Sequence, residues 1–244
     1  MSEFTEEALA FQKLVERRRS IRLFEKDPVP EAVMQNCLDL ALLAPNSSNL
    51  QPWEFYWVRT PEKKAQLVRA CFSQAAAATA AELIVCVART KTWRRACKDM
   101  LIQMDEHRQK GAKIPKAAQD YYEKLVPFSY NQGPLGFFGL VKRILFFIIG
   151  LKKPIPREPS SFNHMKIWAV KSTALACENL MLAFVAHGFD SCPMEGMDSR
   201  RVKRLLNIPS EALVTMVLAV GKRRNDGVTL PRIREDRALH IKEV

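Results

Sequence analysis

The 244-residue chain lacks both glycine signatures that cradle phosphates with backbone amides, Gly-x-Gly-x-x-Gly and Gly-x-x-x-x-Gly-Lys-Ser/Thr. That argues against a Rossmann dinucleotide domain and against a P-loop, so any phosphate has to be held by side chains. The six cysteines include no Cys-x-x-Cys pair and the four histidines no His-Glu-x-x-His spacing. A structural zinc site is disfavoured on both counts. Most cysteines lie in apolar runs, as in Leu83-Ile84-Val85-Cys86-Val87-Ala88, where cysteine behaves as a small buried hydrophobe. The first thirty residues are charged and carry no apolar signal core. The expected compartment is therefore the cytoplasm. There is no internal repeat and no clear linker.

What the chain does have is positive charge: 38 Lys and Arg against 26 Asp and Glu, a formal net charge of +12. Such a balance suits phosphorylated cofactors, nucleic acid or an acidic lipid surface, and it can equally be plain solvated charge. Hydrophobic residues at 48% and charged residues at 26% are ordinary for a globular protein. The length suits one large domain, or at most two small ones, with a substantial core.

Helical spacing runs over residues 8–18 and again over 31–43, with the turn signal Asp27-Pro28-Val29-Pro30 between them. Residues 54–58, 83–88 and 213–220 read as strands. An Ala-rich helix is expected over about 61–81. Another helix is expected over 171–187, closed by Gly188, and a short one through Leu206 capped by Asp198. Strands separated by helices imply an α+β layered sheet. Residues 89–165 stand apart as an insertion-like region. They hold the apolar segment 134–151, interrupted by Lys142 and Arg143 and followed by Lys152 and Lys153. As a membrane span it is short and charged at its centre. As a helix it puts Phe137, Leu140, Val141, Ile144, Leu145, Ile148 and Leu151 on one broad face. A lid, a subunit-interface helix and an interfacial membrane helix all fit that pattern.

Arg18-Arg19-Ser20-Ile21-Arg22, at the end of the first helix, is the strongest motif. A guanidinium presents a rigid fork of donors that matches a phosphate bidentately, though the cluster alone could be a charged helix end favoured by the dipole. Three further blocks accompany it: residues 44–53 (Ala-Pro-Asn-Ser-Ser-Asn-Leu-Gln-Pro-Trp), residues 188–198 around Cys192-Pro193-Met194-Glu195-Gly196, and Pro231-Arg232-Ile233-Arg234. In this order the blocks resemble the flavin-dependent nitroreductase family, with Asn46 where serine is usual and Arg232 where lysine is usual.

The resemblance implies a mixed, mainly antiparallel sheet flanked by helices, in an intertwined homodimer. It implies FMN as cofactor and NAD(P)H as electron donor. Arg18, Arg19, Ser20 and Arg22 would line the ribityl chain, phosphate or pyrimidine edge, and Arg232 and Arg234 would reach the phosphate. Pro193, Met194, Glu195 and Gly196 would form a loop beside the isoalloxazine, with the Glu195 and Gly196 backbone acting at flavin N5 and no side chain as a catalytic acid or base. Pro193 and Gly196 suit a sharp turn there. Pro45, Asn46, Ser47 and Asn49 would pack on the partner's flavin. Gln74 lies where family members contact the pyrimidine. Trp53 reads as core.

The implied activity is a ping-pong reduction of a small electron-poor acceptor, a nitroaromatic or quinone. A reductive dehalogenase on the same scaffold is an alternative, because function lives in the site. The competing class is a basic module for anionic membrane or nucleic acid, motivated by Arg94-Arg95, Arg200-Arg201, Lys203-Arg204 and Lys222-Arg223-Arg224. No nucleic-acid motif accompanies these doublets, so no nucleic acid is expected. Peripheral attachment to the inner face of a membrane through residues 134–151 is the other localisation left open.

Overall fold

The computed structural model describes residues 4–228 and 230–244. In chain order the elements are α1 (Glu6–Arg17), α2 (Glu31–Leu42), β1 (Trp53–Val58), α3 (Pro61–Ala70), α4 (Ala75–Thr79), β2 (Glu82–Ala88) and α5 (Trp93–Gln109). Then follow α6 (Lys116–Asp120), α7 (Val126–Tyr130), α8 (Phe137–Gly150), α9 (Phe162–Ala186), β3 (Asp190–Met194), α10 (Ser199–Leu205), β4 (Leu213–Gly221) and α11 (Arg237–His240).

The four strands form one sheet in the order β1-β2-β4-β3, and every named pair is antiparallel. Among the described residues the parallel component is a single bridge, Ser20 to Ser191. The central strand β2 is buried along its whole length, and its side chains alternate between two cores as a pleat requires. Leu83, Val85 and Val87 meet Leu67, Ala77 and Val202 of α3, α4 and α10 on one face. On the other, Ile84 and Cys86 meet Met34 and Cys37 of α2 and Leu180 and Phe184 of α9. Helices thus cover both faces of the sheet.

Local chemistry explains most boundaries. Asp198 Oδ1 accepts from the N–H groups of Arg200 and Arg201, starting α10 as expected. Gly188, at φ +80°, closes α9. Its N–H donates to Val185 O at 3.0 Å and that of Phe189 to Phe184 O at 2.9 Å, the paired bonds of a Schellman end.

Three expectations need correcting. The Ala-rich helix is two helices, because Phe72 and Ser73 take φ of 56° and 50° and end α3. The 188–198 segment is not all loop: residues 190–194 are strand β3. Pro193 concealed it, yet proline suits an edge strand, where its missing N–H costs no ladder bond on the outer side. The turn therefore begins after Met194, and Pro193 is not part of it. Finally, the helix expected over 171–187 begins nine residues earlier, at Phe162, with the Ser161 side chain accepting from the His164 N–H.

Candidate active site

The arginine block is held against the edge of the sheet by its backbone. Ile21 N–H donates to Ser191 O at 3.1 Å, and Arg22 N–H to Gly227 O at 3.1 Å. Ile21 is fully buried and anchors the segment, while Arg22 points outward. Together with residues 227, 228 and 230–234 the block lines a cavity of about 210 Å³, which includes Arg18, Arg19, Ser20, Arg22, Arg232 and Arg234. Two blocks more than 200 residues apart therefore meet in space.

The guanidinium groups are not equivalent. Arg232 is occupied by the C-terminal end of α1, donating to the carbonyls of Glu16 and Arg18 at 2.6 Å each. This favourable use of a cation at a helix C-terminus makes Arg232 a brace between the two blocks. Arg18 faces Glu178 of α9 at 3.7 Å. Arg19 donates to Leu230 O, and Arg234 to its neighbour's carbonyl, Ile233 O. Among the described residues, Arg19, Arg22 and Arg234 have no carboxylate partner. Nearby Arg223 differs: its guanidinium grips buried Asp190 through two bonds, at 2.8 and 2.5 Å, and ties β3 to the segment that follows β4.

Strand β3 meets the arginine block at the Ser20–Ser191 bridge. Burial raises the Cys192 thiol above its ordinary value, and the Arg22 guanidinium opposes that rise. Beyond Met194, Glu195 and Gly196 are exposed, and their N–H groups make no backbone hydrogen bond among the described residues. Gln74 Nε2 donates to Gly196 O at 2.6 Å and to Cys71 O at 3.0 Å. Arg18, Arg19, Ser20, Arg22 and Arg234 thus line one cavity, and Gln74 and Gly196 are hydrogen-bonded to each other beyond the end of β3. An FMN fits this chemistry: uncompensated guanidiniums call for an anion, and the free N–H groups at the turn call for an acceptor.

Pro45, Asn46, Ser47 and Asn49 lie elsewhere. Asn46, Ser47 and Ser48 line a second cavity of about 560 Å³ with Tyr121, Tyr130, His164, Trp168 and Lys171. Its wall is a hydroxyl cluster. The Ser48 hydroxyl is 2.6 Å from that of Tyr121 and 3.1 Å from that of Tyr130, and the Tyr122 hydroxyl donates to Ser48 O at 3.1 Å. Desolvation raises the Tyr130 phenol, partly offset by its bonds to Ser47 and Ser48. Tyr130 also stands edge-on to Trp168 at 4.8 Å, and the buried Trp168 Nε1 has no acceptor among the described residues.

Backbone strain concentrates at these two places. Ser48, Asn49 and Gln51 have φ of 59°, 48° and 45°, and Phe72 and Ser73 immediately precede Gln74. Non-glycine residues held in this region cost energy and cluster at ligand-binding segments. Both cavities border α9: Glu178 beside the arginines, Lys171 and Leu175 beside the tyrosines. Along the helix axis those positions are about 10 Å apart. The tyrosine wall had no motif to announce it. It comes from residues 89–165, and folding alone brings residues 121–130 to Ser47.

Comparison with known proteins agrees with the motif reading. Residues 15–222 match the model of the Nitroreductase family. The chain is 28% identical over 225 residues to the NADH dehydrogenase of Thermus thermophilus, covering 91% of each chain. In fold it is similar to ydfN of Bacillus subtilis, with a TM-score of 0.77 at 20% identity, covering 97% of this chain and 100% of the other. It is also similar to an Exiguobacterium sibiricum protein solved in complex with FMN, with a TM-score of 0.69 at 24% identity, covering 96% and 97%.

Proposed function

Because the chain belongs to the nitroreductase family of oxidoreductases, we propose that it is an FMN-dependent enzyme that takes electrons from NAD(P)H and passes them to a small electron-poor acceptor. The observation that carries the cofactor assignment is the set of guanidiniums around one cavity, of which Arg19, Arg22 and Arg234 have no carboxylate partner. Uncompensated like charges at one place repel one another, and a phosphate dianion relieves that repulsion.

FMN, when bound, supplies reversible hydride acceptance and donation. The chain supplies the rest. Arg22 and Arg234 bind the phosphate end, Arg232 fixes the C-terminal block against α1, and Gln74 holds the Glu195–Gly196 turn in place. The free N–H groups of that turn position and tune the ring. No side chain is required as acid or base. Donor and acceptor use one stacking position in turn, which is why no separate dinucleotide motif is needed.

Assembly is part of the same reading. In the proposed homodimer, Pro45, Asn46, Ser47 and Asn49 complete the partner's site, and the tyrosine-lined cavity lies on the acceptor's side of it. Support comes from apolar side chains left open on α1 and α9, including Phe11, Val15, Ile167 and Leu175. A two-fold interface would give two equivalent sites. The test is reconstitution of purified protein with FMN, followed by absorbance and by NAD(P)H-driven reduction of a quinone and a nitroaromatic. Arg22→Ala should weaken FMN binding by about 1.5–3 kcal/mol, the range for hydrogen bonds to charged groups. Undiminished flavin retention by Arg22→Ala/Arg234→Ala would sink the assignment, and a flavin-loaded, active monomer in sedimentation would sink the dimer.

A further inference from the structure

α8 has its apolar side chains on the outside. Only Gly139 and Lys142 are buried in this helix, while Phe137, Leu140, Ile144, Phe147 and Ile148 are each more than half exposed. The inward stripe is Gly139, Lys142, Phe146 and Ile149, at helical spacing. Lys142 Nζ donates to the carbonyls of Ser129 at 2.6 Å, Asn131 at 3.0 Å, and Phe128 and Pro159 at 3.3 Å. It thereby caps the end of α7 and staples α8 to the protein. Gly139 permits the close approach: a Cβ there would stand 2.8 Å from Ser160 O. The outward orientation is thus fixed by specific polar contacts on the inner side.

We propose that α8 docks the enzyme onto an anionic lipid bilayer, lying in the plane of the interface. Charge identifies this occupant. From residue 124 to residue 157 there is no Asp or Glu, and Lys124, Arg143, Lys152, Lys153 and Arg157 are all exposed around the apolar face. Apolar area flanked by cations is what an acidic headgroup layer over acyl chains accepts. A second copy docked face to face would set Arg143, Lys152 and Lys153 against one another, while Lys124 is already paired with Asp120. Neither the arginine cavity nor the tyrosine cavity is lined by an α8 residue, so the helix is no lid over either of them; only Phe138, at its first turn, borders a separate cavity beside Trp93 and Met165. Its 14 residues are fewer than the roughly 20 needed to span a bilayer, and they suit a helix lying flat.

The test is flotation of the full-length protein with vesicles of phosphatidylcholine alone or mixed with phosphatidylglycerol, at low and high salt. Co-flotation with the anionic vesicles at low salt, reduced by salt, is the expected result. Ile144→Ser/Phe147→Ser/Ile148→Ser should lower partitioning on the order of tenfold or more. Lys152→Gln and Lys153→Gln should each lower it roughly fivefold. If the serine variant misfolds by circular dichroism, the two lysine variants decide alone. Failure of the wild type to float with anionic vesicles overturns the proposal. So does wild-type flotation of the variants, or loss of self-association in the serine variant, which would identify α8 as a subunit contact.

Discussion

α8 and α9 are both rich in apolar side chains, and the fold treats them in opposite ways. α9 threads the centre of the molecule, packing on α1, α2 and all four strands. It buries Met165, Trp168, Leu180, Phe184 and Val185. α8 buries a glycine and a lysine and leaves Phe137, Phe138, Ile144, Phe147 and Ile148 open. Hydropathy records what each side chain costs in water, but not which neighbour will cover it. In α9 the cover is the sheet of the same chain. In α8 it has to come from outside, because the inward stripe is already filled by Lys142 and its carbonyls.

Paired truncations would break this contrast if it is false. Phe184 is fully buried between α9 and the sheet, so Phe184→Ala should cost about 3–5 kcal/mol in urea unfolding. Phe147, 62% exposed, should tolerate alanine within about 0.5 kcal/mol in the absence of lipid. A large loss from Phe147→Ala would mean that α8 is covered in solution.

A second contrast separates two arginines near the site. Arg223 partners Asp190, which is only 2% exposed. Arg223→Ala leaves that carboxylate buried without its cation and should cost about 3–5 kcal/mol. Arg22 has no carboxylate to abandon, so Arg22→Ala should leave the stability of the FMN-free protein within about 0.5 kcal/mol while weakening the flavin. Equal stability losses would mean that Arg22 is a structural residue like Arg223.

Much of this was legible in the sequence, because the informative signals are local. Asp198 and Gly188 punctuate helices by their own chemistry, and the spacing of Arg18, Ser20 and Arg22 survives as a motif. Three strands announced themselves by apolar runs. The fourth, β3, did not, since Pro193 reads as a turn unless the strand is known to lie at an edge. The bracing role of Arg232 was equally hidden: it depends on carbonyls at residues 15–18, over 200 positions away. The tyrosine wall at Ser47 and Ser48 is likewise long-range, and so is the inward turn of Lys142. In sequence that lysine interrupts an apolar run. In the fold it is the reason the run faces outward.

The smallest expected effect tests that fastening directly, through pH. Burial pulls the Lys142 ammonium from its ordinary 10.5 down to about 8. The groups holding it are neutral carbonyls of Phe128, Ser129, Asn131 and Pro159, which accept from the amine without adding a counter-charge. Below about pH 8 the lysine is protonated in both native and unfolded chains, and the full cost of burying its charge is present. Between about 8 and 10.5 the unfolded chain binds more protons than the native one, so this residue's contribution to stability rises with pH across that window. Other lysines and the tyrosines titrate there too, so the measurement is a difference. Unfolding midpoints of the wild type and Lys142→Met are compared at about pH 7 and about pH 10, each reported by hydrogen exchange of the α8 amides as well as globally. The gap between the two proteins should move in favour of the wild type at the higher pH. A gap independent of pH would mean that Lys142 titrates as a solvated lysine, and α8 would then lack the buried anchor that distinguishes it from α9.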